Sequence, residues 1–169
     1  MEIYKFCPMC KKTLKKNFVD GLNRFRCAGC GWVDYRNPVP VAACLVANRK
    51  KELLLIKRSI APCSGHWALP GGYIELNETP EKAGTRELFE ETGLKGKPGR
   101  LVGVELQKSK IYGFVLVVGV EFATKNYKLI PGDDASDAKF ISLKKLPKIP
   151  FLSHRKLIAT YMKDSLIIK

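Results

Sequence analysis

Three glutamates, Glu87, Glu90 and Glu91, fall within five consecutive residues of this chain. On a helix, spacings of three and four place them on one face, over roughly one third of the circumference. Like charges this close repel one another unless a cation lies among them, and Arg86 alone leaves two of them unbalanced. Hard oxygen ligands suit Mg²⁺ or Mn²⁺ better than zinc. A solvated acidic helix face is the alternative reading of the same residues.

The flanking residues predict where this helix begins and ends. Thr79 suits the N-cap, Pro80 suits the first helical position, and Gly93 is a typical C-terminal stop. The Leu-Pro-Gly-Gly stretch at residues 69–72 predicts a tight turn where the backbone can approach a ligand closely. Together, the turn and the acidic helix indicate a site that holds a metal ion against an anionic substrate.

The spacing over residues 72–94 resembles the motif of the Nudix hydrolase family. That motif is Gly, five residues, Glu, seven residues, Arg-Glu, an aliphatic residue, any residue, Glu-Glu, any residue, Gly and an aliphatic residue. Its fixed positions are filled here by Gly72, Glu78, Arg86, Glu87, Leu88, Glu90, Glu91, Gly93 and Leu94. So many constrained positions rarely coincide by chance in a short stretch. The resemblance implies an α/β fold, a Nudix-type α/β/α sandwich with a mixed sheet.

The resemblance also implies the reaction. The expected substrate is a nucleoside diphosphate linked to another moiety, such as ADP-ribose, FAD or a similar ADP-linked compound, and water attacks one phosphorus of its pyrophosphate. Dinucleoside polyphosphates and NADH are alternative substrates. Residues 103–110 lack the signature of NADH pyrophosphatases, and the proline typical of ADP-ribose members is absent downstream. The alternative function is a nucleotide- or nucleic-acid-binding regulator that uses a Nudix domain as a sensor, but a sensor does not need intact glutamates.

By the same resemblance, Glu90 and Glu91 are the expected metal ligands, and Glu87 is either a third ligand or the catalytic base. The carbonyl of Gly71 is a further expected ligand, and Arg86 should orient the glutamates through charge-assisted hydrogen bonds. We therefore list Arg86, Glu87 and Glu91 as catalytic candidates. Glu78 should support the loop or join an outer metal shell.

Residues outside the motif are candidates for the remaining roles. Three acids of a later loop are alternative bases: Asp133, Asp134 and Asp137. Candidate substrate contacts are Arg58, Trp67, Tyr112 and Asp134. We favour a packing role for Trp67, because it is a large apolar side chain, and for Tyr112, because it falls in a predicted strand.

Four cysteines predict a second metal site near the start of the chain. Cys7 and Cys10 form one CxxC pair, Cys27 and Cys30 form another, and sixteen residues separate the pairs. Four thiolates in two such turns fit a tetrahedral structural Zn²⁺. Disulfides and a redox pair are alternatives, but nothing indicates secretion, and redox chemistry needs only one pair.

The cysteine spacing sets the domain prediction. We predict a small zinc ribbon over residues 1–36 and a hydrolase domain over residues 37–169. A module as small as the ribbon needs a bound metal ion or a similar cross-link to stay folded. A four-cysteine ribbon followed by Tyr-Arg-Asn-Pro at residues 35–38 is also the layout of zinc-ribbon Nudix proteins.

The composition is strongly basic, with 30 Lys and Arg against 16 Asp and Glu and a net charge of +14. This balance can attract polyanions or phosphate-bearing substrates, although a lysine-rich solvated surface explains most of it. Basic and aromatic residues alternate in the ribbon, which is compatible with nucleic-acid binding. We favour the simpler reading, in which the ribbon's aromatics cover its own core.

Nothing in the sequence has the length of a membrane span or the pattern of a signal segment, so the expected location is the cytoplasm. A homodimer is an open expectation, because dimers are common among similar proteins.

The remaining pattern predicts strands and one further helix. Residues 39–48 and 52–58 read as a hairpin, and residues 101–107 and 112–122 read as a second hairpin. The last of these strands is apolar on both faces and should be central. Loops are expected at residues 95–100 and 125–137, a short strand at 138–142, and a helix from Ser153 to about residue 163.

Overall fold

The computed structural model describes the backbone of residues 4–167 and the side chains of residues 4–164. The helices and strands follow here in chain order. They are β1 (Leu14–Val19), β2 (Leu22–Cys27), β3 (Val33–Asp34), β4 (Val39–Val46), β5 (Glu52–Arg58), β6 (Trp67–Ala68), α1 (Pro80–Thr92), β7 (Lys97–Ser109), β8 (Gly113–Ala123), β9 (Ala135–Ser142) and α2 (Leu152–Ile167).

The first three strands form a small antiparallel sheet in the order β1-β2-β3. Its core consists of Cys7, Leu14 and Cys27, against which Phe25 and Trp32 pack. The expectation that aromatic residues cover this core is confirmed for Phe25 and Trp32. It is wrong for Phe18, which is 75% exposed near the turn end of β1, and for Tyr35, which is 51% exposed, because the core is too small to reach them.

The other strands form two sheets, in the orders β4-β8-β7 and β6-β5-β9. Strand β4 runs parallel to β8, and β7 runs antiparallel to it, so this sheet is mixed. Strand β8 lies at its centre, as its two apolar faces predict. The mixed sheet of the expected fold is confirmed.

Successive residues of β4 point in turn towards α2 and towards α1, as expected for a strand that is covered on both faces. Ala43 and Leu45 belong to a core cluster with Leu157 of α2. Cys44 and Val46 belong to another with Leu88 of α1. The neighbouring strand β5 is divided in the same way between the two clusters. The sheets therefore lie between α1 and α2 as the middle layer of an α/β/α sandwich.

The ends of α1 agree with the sequence signals. The side chain of Thr79 accepts a hydrogen bond from the backbone N–H of Lys82, and Pro80 is the first helical residue. Gly93 adopts φ 70°, and its N–H donates to the carbonyl of Phe89 at 2.8 Å. These caps satisfy backbone groups that the helix ends leave unpaired.

The predicted hairpin of residues 39–48 and 52–58 is wrong. Strand β4 pairs with β8, and β5 pairs with β6 and β9, so β4 and β5 are joined only by an isolated bridge between Ala47 and Leu53. Two apolar runs and a short turn do not specify lateral partners when both runs are buried on two faces.

Several predicted boundaries also shift. Strand β7 begins at Lys97, inside the expected loop, with an irregular register between Pro98 and Leu101. Tyr112 lies in the turn before β8 rather than in the strand. Helix α2 begins at Leu152, so Ser153 is not its cap, and the hydroxyl of Ser153 bonds to Gln107 Oε1 instead. No helix within residues 4–167 is long and apolar enough to cross a membrane.

Helix α2 is joined to the turn at residues 69–72 by a histidine. The backbone N–H of Leu69 donates to His154 Nδ1 at 3.1 Å, which requires that nitrogen to be unprotonated. Burial, together with the charge of Arg58, lowers the pKa of His154 to about 4. The imidazole ring of His154 is therefore neutral in the folded chain at neutral pH.

We predict that His154 makes the fold less stable in acid. Its pKa is lower in the folded than in the unfolded chain, so the unfolded chain binds more protons between pH 4 and pH 6.5. The free energy of unfolding should fall by about 3 kcal/mol as pH drops through this window. Urea titrations of His154→Gln, which keeps an acceptor, should lack this component. The matched variant of the exposed His66, His66→Gln, should retain it, and equal pH profiles for all three proteins would contradict the assignment.

Candidate metal centres

The segment at residues 70–74 runs along the outer edge of β4. The backbone N–H groups of Ala42 and Cys44 donate to the carbonyls of Gly72 and Pro70, each at 2.8 Å. These bonds and a bridge at Tyr73 fix the backbone of the glycine turn against the sheet.

The two glycines of this turn are required by close approach. Gly71 adopts φ 148°, and a Cβ there would lie 2.1 Å from the carbonyl oxygen of Ala42. A Cβ at Gly72 would lie 2.3 Å from Glu87 Oε1. The N–H of Gly71 donates to Glu91 Oε2 at 2.8 Å. The turn thus meets two glutamates of α1 directly, and no larger residue would permit this contact.

Arg86 uses all five of its N–H donors, four of them on acidic residues and one on a backbone carbonyl. Its Nε and Nη2 bind the two carboxylate oxygens of Glu78, each at 2.9 Å. Its Nη1 donates to Glu87 at 2.7 Å and to Glu90 at 3.1 Å. The second Nη2 bond reaches the carbonyl of Tyr73 at 3.0 Å. One guanidinium therefore orders three carboxylates and the glycine turn.

Glu91 is only 2% exposed, and burial raises its pKa to about 8. The Gly71 N–H opposes this rise, while the charges of Glu87 and Asp134 add to it. Burial likewise raises the pKa of Glu87, against the opposing effect of Arg86. Carboxylates with raised pKa values gain from a nearby cation, which would favour their charged forms.

The loop after β8 brings further acids to this cluster. The charge of Asp133 acts on Glu87, and that of Asp134 acts on Glu91. Asp137 instead lies in β9 and forms an ion pair with Lys139 at 2.6 Å. The expected loop of three acids therefore divides into two that face the glutamates and one that is paired elsewhere.

The candidate substrate contacts lie in different surroundings. Arg58 Nε donates to the carbonyl of Pro62 at 2.9 Å, and its charge lowers the pKa of Glu91. Trp67 packs against the core on the α2 side and beneath Lys139, in agreement with a packing role. The ring of Tyr112 meets that of Tyr73, with centroids 5.6 Å apart. Tyr73 was not among the residues predicted from the sequence to lie near the site, although it directly follows the glycine pair of the predicted turn.

The donor set and burial of α1 fit a hard divalent cation. Carboxylate oxygens and an adjacent backbone turn are the ligands that Mg²⁺ and Mn²⁺ prefer. The three glutamates do not gather as tightly as a closed site requires, because Glu87 and Glu90 both bond to Arg86 Nη1. Among the described residues, the group whose ligand atoms all lie within 4.8 Å of one another is the cysteine set.

The cysteine set is built from two equivalent turns. In each, the first cysteine accepts a backbone bond from the residue four positions later and donates one to the residue five positions later. That fourth residue has a left-handed backbone in both turns, with φ 61° at Lys11 and 79° at Gly31. The Sγ atoms of Cys10 and Cys27 are 3.3 Å apart.

These sulfurs fit a tetrahedral zinc site. Zinc–sulfur bonds of about 2.3 Å imply sulfur separations near 3.8 Å, a small change from the observed spacing. The backbone N–H of Cys30 is the main cause that lowers the pKa of Cys27 to about 6, whereas the pKa of Cys30 itself is raised, so Cys27 loses its proton before Cys30 does.

We predict one tightly bound Zn²⁺ per chain at this site. Cys10→Ser should lose most of the zinc and unfold the segment that contains β1 to β3, because its short core depends on the metal. Metal analysis and amide exchange would measure both effects. Cys63→Ser is the matched control, since that cysteine lies outside the cluster, and undiminished zinc in Cys10→Ser would contradict the assignment.

Comparison with known proteins finds families and relatives that match most of this chain. A family model described as "NUDIX domain" matches residues 37–161, and one described as "Nudix N-terminal" matches residues 5–36. An ADP-ribose pyrophosphatase of Methanocaldococcus jannaschii is 37% identical over 154 residues, which cover 90% of this chain and 84% of that protein.

Two further relatives differ in coverage. Diphosphoinositol polyphosphate phosphohydrolase 3-alpha of Mus musculus is 46% identical over 83 residues, 46% of this chain and 49% of that protein, so the match spans about half of the relative's length. The crystal structure of a NUDIX hydrolase from Nitrosomonas europaea superposes with a TM-score of 0.75 at 26% identity, covering 95% of this chain and 92% of the other.

Proposed function

The chain belongs to the Nudix hydrolase family, and we propose that it hydrolyses the pyrophosphate bond of a nucleoside diphosphate linked to another moiety, with ADP-ribose as the leading substrate. The buried Glu91, bonded to the glycine turn beside Arg86, is the observation that carries this proposal. The ADP-ribose pyrophosphatase of Methanocaldococcus jannaschii supports the choice of substrate, because its similarity extends over most of both chains. FAD, NADH and dinucleoside polyphosphates are the alternatives.

The proposed metal ligands are Glu87, Glu90, Glu91 and the carbonyl of Gly71. A bound Mg²⁺ or Mn²⁺ would neutralise diphosphate oxygens and lower the pKa of a water molecule. Burial raises the pKa of Glu91 to about 8, and a bound cation would favour its carboxylate form. Glu90 is the most exposed of the three side chains, so it can leave Arg86 to complete the site.

Arg86 is proposed to orient the ligands rather than to contact the substrate. Its donors are directed to Glu78, Glu87, Glu90 and the turn, so its charge is already compensated. Arg58 is the better candidate for a phosphate oxygen, because its charge acts on the cluster from β5. The planar guanidinium of Arg58 can donate two parallel hydrogen bonds to two oxygens of one phosphate group.

Hydrolysis requires a base as well as ligands. Water forms a new bond to one phosphorus, the bridging P–O bond breaks, and the water's proton passes to the base. Glu87 is the proposed base if it is not the third metal ligand, and burial raises the pKa of its carboxyl against the opposing effect of Arg86. Asp134 is the alternative, because its charge acts on Glu91 from the loop after β8.

The four cysteines are proposed to hold a structural Zn²⁺ in a module over residues 1–36, distinct from a catalytic domain over residues 37–169. A sensor that binds nucleotide without cleaving it is the second candidate function. It would not need the bonded, buried carboxylates of α1, and turnover distinguishes the two functions.

We predict that Glu91→Gln reduces turnover by at least about 10²-fold, since it removes a charged ligand and keeps an acceptor for the Gly71 N–H. Chromatographic assays of AMP formation from ADP-ribose with Mg²⁺ and Mn²⁺ would measure the loss. Glu105→Gln, which removes a surface ion pair with Lys156, is the matched control. Full activity of Glu91→Gln would remove the basis for the metal site.

The same variant gives a prediction about stability without metal. The folded chain raises the pKa of Glu91, so the stabilisation from this group is complete below pH 4.5 and is lost as pH rises through 8, because the unfolded chain loses the proton first. In chelator at pH 7.5, Glu91→Gln should therefore unfold at the same temperature as the wild type or higher. Added Mg²⁺ should stabilise only the wild type, and equal stabilisation of both proteins would count against ligation by Glu91.

The substrate is tested with a panel of diphosphate compounds. We expect hydrolysis of ADP-ribose to yield AMP and ribose 5-phosphate, with a higher kcat/KM than for FAD, NADH, a dinucleoside polyphosphate or a diphosphoinositol phosphate. Product analysis by chromatography identifies the bond that is cleaved. Binding without cleavage of any member would favour the sensor.

A further inference from the structure

One face of the hairpin formed by β1 and β2 carries positive charge that no partner among residues 4–164 neutralises. Lys15 on β1 lies directly opposite Arg26 on β2, and Asn17 lies directly opposite Arg24. The side chains of Lys15, Asn17 and Arg26 form no hydrogen bond or ion pair with another described residue. Like charges directly opposite each other destabilise a pair of strands. The hairpin therefore keeps a repulsive pair although its core is very small.

The acidic residues of this module are too few to balance its positive charge. Residues 5–36 contain eight lysines and arginines but only two acids, Asp20 and Asp34. Asp34 forms an ion pair with Arg36 at 2.8 Å, and the carboxylate of Asp20 accepts a hydrogen bond from the hydroxyl of Tyr35 at 3.2 Å. The positive face is thus available to an anionic partner.

An exposed aromatic ring lies on the same face of the hairpin. Val33 of β3 lies opposite Arg26, so Tyr35, two residues later, projects to the same side. The Arg24 guanidinium lies 5.0 Å from the centroid of the Tyr35 ring, and Tyr35 is 51% exposed. Arg24 bonds to the carbonyl of Asp20 and Tyr35 to its carboxylate, so both side chains are anchored at the hairpin turn. A fixed, half-exposed ring is a platform on which a base can stack.

This combination of cations and ring fits single-stranded RNA. Its unpaired bases can stack on aromatic rings and guanidinium planes while its phosphates contact cations. Positions 15 and 17 are about 7 Å apart along β1, which resembles the separation of neighbouring phosphates in an extended strand. The amide of Asn17 both donates and accepts hydrogen bonds, as does the 2′-hydroxyl that distinguishes RNA from DNA. A membrane-binding face would be richer in apolar side chains.

We propose that the basic hairpin face binds single-stranded RNA. This face consists of Lys15, Asn17, Arg24, Arg26 and Tyr35. The phosphates pair with the cations of Lys15 and Arg26, and a base stacks on Tyr35. The face lies outside the residues proposed for hydrolysis, so the inference does not depend on that activity. It also explains why a like-charged pair is kept in a module with so small a core.

The first test removes the ring. Fluorescence anisotropy of a labelled, unstructured RNA of about 12 nucleotides measures binding by the full chain. Tyr35→Leu should weaken binding by between about 5- and 150-fold, because a stacked base is lost. Phe18→Leu is the matched control, since Phe18 is 75% exposed on the opposite face of the same hairpin, and it should bind like the wild type.

The second test removes the charge. The double variant Lys15→Gln with Arg26→Gln should weaken RNA binding, and the slope of log K against log salt should fall in magnitude by about 1.4, because two phosphate contacts are lost. Arg49→Gln with Lys50→Gln, in the turn between β4 and β5, makes the same change in net charge elsewhere and should leave the slope unchanged.

Two further measurements identify the partner and the repulsive pair. DNA of the same sequence should bind more weakly than the RNA, and Asn17→Ala should remove this difference. Without RNA and at low salt, Lys15→Gln should slow amide exchange in β1 and β2, because it relieves the repulsion from Arg26.

Several outcomes would overturn the RNA-binding face. They are absence of RNA binding to the wild type, unchanged affinity in Tyr35→Leu, equal losses in the hairpin charge variant and in its turn control, DNA binding as tight as RNA binding, and unchanged amide exchange in Lys15→Gln. Tighter binding to phosphatidylserine vesicles than to RNA, lost in the same variants, would assign the face to a membrane surface instead.

Discussion

The ion-pair network of Arg86 is the interaction on which the rest of the site depends. Four acidic side chains, those of Glu78, Glu87, Glu90 and Glu91, lie around α1, three of them in its last two turns, and like charges at short distance repel. Arg86 compensates three of them and also bonds to the turn at Tyr73, whereas Glu91 is held by the Gly71 N–H alone among the bonds described for its carboxylate. The network therefore sets both the charge and the position of the carboxylates before any ligand arrives.

This arrangement requires α1 to lie unusually close to the sheet. Gly84, in the middle of the helix, faces β8, where an added Cβ would come within 2.7 Å of the ring of Phe122. The thiol of Cys44 on β4 donates to the carbonyl of Gly84 at 3.2 Å. A helical glycine costs about 1 kcal/mol relative to alanine. That cost is offset here by the close packing that lets Glu91 reach the glycine turn.

Local signals were sufficient to predict the parts of the site that lie along one stretch of chain. The ends of α1 depend on caps at Thr79 and Gly93, and its acidic face depends on spacing within two turns. Lateral pairing was predicted poorly, because β4 selects a partner far along the chain, and nothing in its residues identifies β8. The contact between Tyr73 and Tyr112 was missed for the same reason, since it depends on where a distant hairpin turn ends.

The hydrogen bonds between the glycine turn and β4 fix three consecutive residues against the acidic cluster. Three consecutive residues contact three different members of the cluster: Gly71 bonds to Glu91, Gly72 packs on Glu87, and Tyr73 bonds to Arg86. At Gly71 a side chain would collide with the backbone of β4, and at Gly72 it would displace the carboxylate of Glu87. Tyr73 contributes only its carbonyl to the cluster, and its ring points to the exposed edge. A different side chain at this position would therefore leave the hydrogen bond from Arg86 to the backbone carbonyl in place.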